Sequence, residues 1–196
     1  ISAANAQEAS FAAQMRDVNA KVSLPARQAI IADALANFQA MARKEARCIP
    51  TSVEIEAATP ATAVRIATQG IQSGQLKNAW TAYGRAQGCK GAPRTRFIIL
   101  LMANDEVRVR PINQGESIAS ASLMRDTSAG AAIAALSAIK AINPECDGTG
   151  MTMLGTTVVS RSPDLSPDFY GVRYRGSWAE NWTFQVCGHS AEVPVS

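Results

Sequence analysis

Apolar residues recur at two different periods along this chain, and the changes of period mark out the predicted elements. From Ala3 to Val22 the sequence is alanine-rich and helix-permissive, with a thin apolar stripe at Phe11, Met15 and Val18. A stronger helical period follows in SLPARQAIIADALANFQAMARKEARC, where Ile31, Leu35, Phe38 and Met41 define one buried face. Ser23 is its expected cap and Pro25 suits its first turn. Arg43, Lys44 and Arg47 close it, where cations complement the helix dipole.

The period then shortens to two. TSVEIEA (51–57) alternates as a short strand. A brief helix is expected next, with Thr59 as cap, Pro60 at its first position and Gly70 as its stop. Leu76, Trp80 and Ala82 are the apolar positions of the stretch after it. RTRFIILLMA (94–103) is apolar on both faces, which predicts a central strand. Asn104–Glu106 turn the chain, and VRVRPI (107–112) returns as a hairpin partner.

The second half repeats the scheme. Residues 113–126 read as irregular. Asp126 or Thr127 is the expected cap of a helix whose inner face is Ile133, Leu136, Ile139 and Ile142, stopped by Asn143–Pro144. MTMLGTTVVSRS (151–162) is strand-like, and PDLSPD (163–168) is a loop. From Tyr170 onward, apolar and aromatic side chains take the even positions through Val186. The odd positions are mostly polar. A straight strand of that length would run about 55–60 Å, so the chain must bend. Gly176 is the natural hinge, and a hairpin around Ala179–Asn181 is the competing reading.

These elements predict an α+β fold, with helices packed on a mainly antiparallel sheet. The expected organisation is an N-terminal helical segment, 1–22, and one α+β domain, 23–196, with possible halves at 23–122 and 123–196. Gly74–Trp80 and Gly176–Trp182 share the spelling G-x-[LW]-x-[NE]-x-W. Duplication accounts for such an echo, and so does the small alphabet that strands reuse.

Composition narrows the function. The 196 residues are 47% hydrophobic, enough for a core, and the net charge is only +3. Nucleic-acid binding calls for denser basic clusters interleaved with aromatics, so none is expected. No run reaches the length of a membrane span. The chain opens ISAANAQ without methionine, which fits either a removed export signal or trimming.

Cys48, Cys89, Cys146 and Cys187 contain no C-x-x-C pair, and His189 is the only histidine, so no metal site or cofactor is expected. An even count at wide spacing fits two disulfides made in an oxidising compartment. Three pairings are possible. The sequential one closes 41 residues in each half, worth about 4 kcal/mol apiece in the chain-entropy description.

Candidate chemistry is sparse. Glu180 falls on the aromatic face, where a carboxylate needs an arginine or backbone amides. It reads either as a general acid or base with a raised pKa or as a structural residue. A Cys187–His189 nucleophile pair would need an orienting third group, and a disulfide would disable it. No G-x-S-x-G, P-loop or G-x-G-x-x-G occurs. Arginines pair at i, i+2 three times: Arg94 and Arg96, Arg108 and Arg110, Arg173 and Arg175. On strands, each pair would share a face and offer a basic docking surface for an acidic partner.

Tyr174, Gly176, Trp178, Glu180, Trp182, Cys187 and Gly188 spell [FY]-x-G-x-W-x-E-x-W-x(4)-C-G. This resembles the C-terminal signature of exported proteobacterial proteins of unknown function. The resemblance implies export and a disulfide-bonded sheet, and is silent on chemistry. The expected function is a non-enzymatic, periplasmic or extracellular accessory subunit. Its partner would be a protein in an envelope or surface assembly, with the six arginines as the binding set. The alternative is a small periplasmic hydrolase or ligand-binding protein with a Glu/Arg-lined cleft.

Overall fold

The computed structural model describes residues 3–44 and 47–196. Among them are four helices and two antiparallel sheets, an α+β fold with two disulfides. The chain divides into two compact units: Ile1–Pro111 with Asp168–Val172, and Ile112–Pro167 with Arg173–Ser196.

The first unit contains α1 (Ala3–Lys21), α2 (Arg27–Lys44), β1 (Ser52–Ile55), β2 (Thr59–Pro60), α3 (Arg65–Gln72), β3 (Leu76–Gln87), β4 (Arg94–Met102) and the start of β5 (Val107–Gln114). Its strands run in the order β1-β3-β4-β5, with β2 added to β3. The apolar run of β4 thus lies between two neighbours, as its two-sided hydrophobicity requires. Ile30 and Ala34 of α2 meet Val53, Ile55, Trp80, Ala82, Phe97, Ile99 and Val109 in the core. Phe38 adds an edge-to-face contact with Phe97 at 5.3 Å.

Three local expectations change in this unit. α2 begins at Arg27, and its first hydrogen bonds end on the Ala26 carbonyl, so Ser23 does not cap it. Its buried row is Ile30, Ala34 and Ala42. Ile31, Leu35 and Phe38 flank that row, and Met41 is exposed. The small Ala34 lets the helix lie close to the sheet, which rotates the stripe. The expected continuation through Glu45 and Ala46 lies outside the described residues.

Thr59 and Pro60 form β2 against Thr81 and Trp80, and α3 starts only after Val64. Strand pairing there outweighs the capping preference. Gly70 sits inside α3: a Cβ on it would come within 2.5 Å of Leu76. It is therefore a packing glycine and not a stop.

The second unit contains α4 (Ala121–Lys140), β6 (Thr152–Arg161), β7 (Trp178–Val186) and β8 (His189–Val195), with strand order β6-β7-β8. Met124, Ala131, Ala135 and Ile139 of α4 join Trp182, Phe184, Val186, Ala191 and Val193 in the core. α4 starts earlier than expected because Ser120 accepts the Leu123 N–H at 3.2 Å. Its inner face is Met124, Ala131, Ala135 and Ile139, so the expected Ile139 is buried, Leu136 is half-buried, and Ile133 and Ile142 are exposed.

Residues 170–177 leave the sheet, and regular pairing begins at Trp178. At Gly176, φ is 91° and a Cβ would lie 2.4 Å from the Leu165 Cα, which bears out the bend. Ala179–Asn181 pair with β6, and Glu180 and Asn181 also pair with β8, so no hairpin forms there. The hairpin lies at Cys187–Gly188, both left-handed with φ of 49° and 77°.

Both disulfides are sequential. Cys48–Cys89 and Cys146–Cys187 each span 41 residues. With β2 and α3 of the first unit set aside, each unit runs helix, cysteine, strand, tryptophan-bearing strand, cysteine, strand. β3 and β7 both begin two residues after a left-handed glycine, Gly74 and Gly176, and both carry tryptophan as their fifth residue.

Candidate functional site

Glu180 is the third residue of β7 and points to the core side, where it is 1% exposed. Its carboxylate is surrounded by donors from its own unit. The Ser117 hydroxyl donates to Oε1 and Oε2 at 3.0 and 2.9 Å. The N–H groups of Ile118 and Ala119 donate to Oε1 at 2.6 and 3.2 Å. The Trp182 indole N–H donates to Oε2 at 2.9 Å. Backbone amides therefore supply what the sequence required, and no arginine is among these donors. The amides lie just upstream of α4, on the side where a helix dipole favours negative charge.

This arrangement fastens the chain entering α4 to the central strand. The neighbouring segment is strapped down as well. Asn113 donates to the Thr156 hydroxyl at 2.8 Å, and that hydroxyl donates to the Glu116 carbonyl at 2.8 Å. A Cβ on Gly115 would reach the Thr156 carbonyl oxygen at 2.3 Å, so only glycine permits the approach.

The first unit carries a counterpart that sequence reasoning missed. Asn78, the third residue of β3, is fully buried. Its Oδ1 accepts from the Thr62 hydroxyl at 2.6 Å and from the Ala79 N–H at 2.7 Å. Its amide donates to Asn19 Oδ1 at 3.1 Å and to the Val22 carbonyl at 3.3 Å. Asn19 is in the last turn of α1, and Val22 opens the link from α1 to α2. The signal was present in the echoed spelling, whose [NE] position is occupied by Asn78 and Glu180.

The six arginines occupy different local settings. Arg94 holds Glu56 through two contacts of 2.6 Å and lies 3.7 Å over the Tyr83 ring. The hydrogen bond from Arg94 is the main cause that keeps the Glu56 carboxyl below its usual range. Desolvation opposes it, and the charges of Arg94 and Arg85 add to it. Arg96 is buried. Arg108 holds Glu106 at 2.9 and 3.1 Å, and this hydrogen bond lowers the Glu106 pKa and raises that of Arg108. Arg110 reaches Asp33 at 3.4 Å and Asn37 at 3.3 Å.

Arg173 and Arg175 are on a loop, contrary to the strand expectation. Arg173 donates to the Ser166 carbonyl, and Arg175 to the Asp164 carbonyl at 3.4 Å. Prolines and the left-handed Gly171 and Gly176 keep that segment out of the sheet.

Tyr174 is exposed in the same loop, Trp178 packs at the margin of the core, and Trp182 is buried within it. His189 is exposed at the start of β8, while Cys187 is bonded to Cys146, so the pair holds no nucleophile. Among the described residues, no group of three or more His, Cys, Asp or Glu side chains could hold a metal ion. Among the described residues, no helix is long and apolar enough to cross a membrane.

Comparison of the chain with protein families, curated proteins and solved structures found no match.

Proposed function

We propose that this chain is an exported, non-enzymatic interaction module, an accessory or structural subunit of a bacterial envelope or surface assembly. The observation that carries the reading is the pair of disulfides, one in each unit, which engage all four cysteines. Structural disulfides are made and kept in oxidising compartments. The C-terminal signature points the same way.

The environment of Glu180 favours a strut over a reactive acid, because its oxygens face donors of its own chain. The docking face is the arginine-bearing edge of the first unit's sheet. β5 is the last strand in the order and presents Arg108 and Arg110, alongside Glu106 and Asp33. A mixed-charge edge of this kind sets partner choice and register more than raw affinity.

The test reverses both charges, Arg108→Glu with Arg110→Glu, in the chain expressed in its own host. Recovery in the assembly isolated from envelope and medium should fall while the secreted level holds. Unchanged recovery contradicts this docking face.

A further inference from the structure

The outward side of α4 is unusual for a helix of a water-exposed domain. No charged residue occurs from Thr127 to Ile139. Along that side, Leu123, Asp126, Gly130, Ile133, Ser137 and Lys140 are all exposed, and their spacing alternates three and four. That spacing puts them on one face of the helix, with charges at its two ends and small or apolar residues between them. Ile133, at its centre, is 67% exposed.

Gly130 is an independent sign. It is mid-helix, its φ is not left-handed, and a Cβ on it would meet nothing within 4 Å. A glycine inside a helix is less favourable there than alanine. Among the described residues nothing crowds its Cβ position, unlike Gly70 with its Leu76 contact. Close approach of a backbone from outside the chain would require the glycine.

The charges identify the occupant. Asp126 and Lys140 are equidistant from Ile133 along the sequence, with opposite signs. A two-fold axis through Ile133 sets Asp126 of each copy against Lys140 of the other. It also brings Gly130 of one helix near Ser137 of its partner. The surface is self-complementary, as an isologous contact must be. Asp126 also meets Arg125 at 3.6 Å, on the flank of that face. We infer that α4 is the face through which two copies of this chain associate, as an antiparallel helix pair. The inference does not depend on export or on the docking edge.

Sedimentation equilibrium of the full oxidised chain over a concentration series tests it. The wild type should form a dimer. Asp126→Lys and Lys140→Asp, taken singly, each create two like-charge contacts and should raise the dissociation constant about tenfold. The double variant, Asp126→Lys with Lys140→Asp, should restore it to within about threefold by the same pair arithmetic. Gly130→Leu should abolish association with an unchanged circular dichroism spectrum. A chain that stays monomeric overturns the inference, and so does a dimer indifferent to these charge reversals.

Discussion

Asn78 and Glu180 hold the same position in their two units. Each is the third residue of its strand, two before a buried tryptophan, and each hydrogen-bonds the segment that leads into the unit's main helix. One is neutral and the other charged, so the shared role is anchoring. The carboxylate on the aromatic side of β7 is explained by this role without recourse to catalysis.

Replacing Glu180 tests the anchor. In Glu180→Gln, one oxygen becomes an amide nitrogen that faces donors on either side, the Ile118 and Ala119 N–H groups or the Trp182 indole. The expected loss of unfolding free energy is about 2–3 kcal/mol. Urea denaturation measures it. A loss within experimental error would return Glu180 to the list of groups kept for a reaction.

The two echoed glycines should respond differently. Gly74→Ala meets open space and pays only for its left-handed backbone, with φ of 73°, about 1 kcal/mol. Gly176→Ala adds a clash with the backbone of Leu165 at 2.4 Å and should cost about 3 kcal/mol or more. Thermal unfolding of the two variants, side by side, gives the ordering. Equal costs would mean that the bend at Gly176 is looser than the structure shows.

The Glu56–Arg94 pair sets a pH dependence. The folded-state pKa of Glu56 lies below its ordinary 4.5, chiefly through the Arg94 hydrogen bond. Its stabilisation is therefore present above that pH and is lost as the pH falls through the lower folded value. The pair is half-exposed, so the contribution is about 0.5 kcal/mol or less. The stability difference between wild type and Glu56→Gln should be constant near neutrality and close below pH 4.5. High salt should shrink it. A difference that persisted in acid would contradict the pairing.

The disulfides should open in a fixed order. Cys48 is exposed, whereas Cys146 is 3% exposed and packs with Cys187 in the second unit's core. Under graded reductant without denaturant, alkylation should appear at Cys48 and Cys89 first. Peptide mapping reads the order, and simultaneous labelling would show that the second unit opens as readily as the first.

Much of the fold was legible because period and punctuation agreed. The two-sided apolar run of β4, the alternation in β7, the bend at Gly176 and the sequential cysteine spacing all appear in the structure. Helix phase was less legible. In α2, and in α4 and the turn after it, the large residues Met41, Ile133 and Ile142 suggested one face, but alanines share the contact with Ile30, Met124 and Ile139 and let helix and sheet approach. Thr59–Pro60 had the chemistry of a helix start and became a strand through pairing with a distant segment. The anchor was half legible. Glu180 was marked as needing partners, yet Ser117–Ala119 looked like ordinary irregular chain, because amide donors leave no mark in side-chain spelling.

The central claim is that this is an exported chain stapled in both units. Intact mass of the protein taken from its own host, alkylated without reductant, tests it most directly. The account predicts no added alkyl groups, and four only after reduction and denaturation, one for each cysteine. Four alkyl groups without reductant would contradict it.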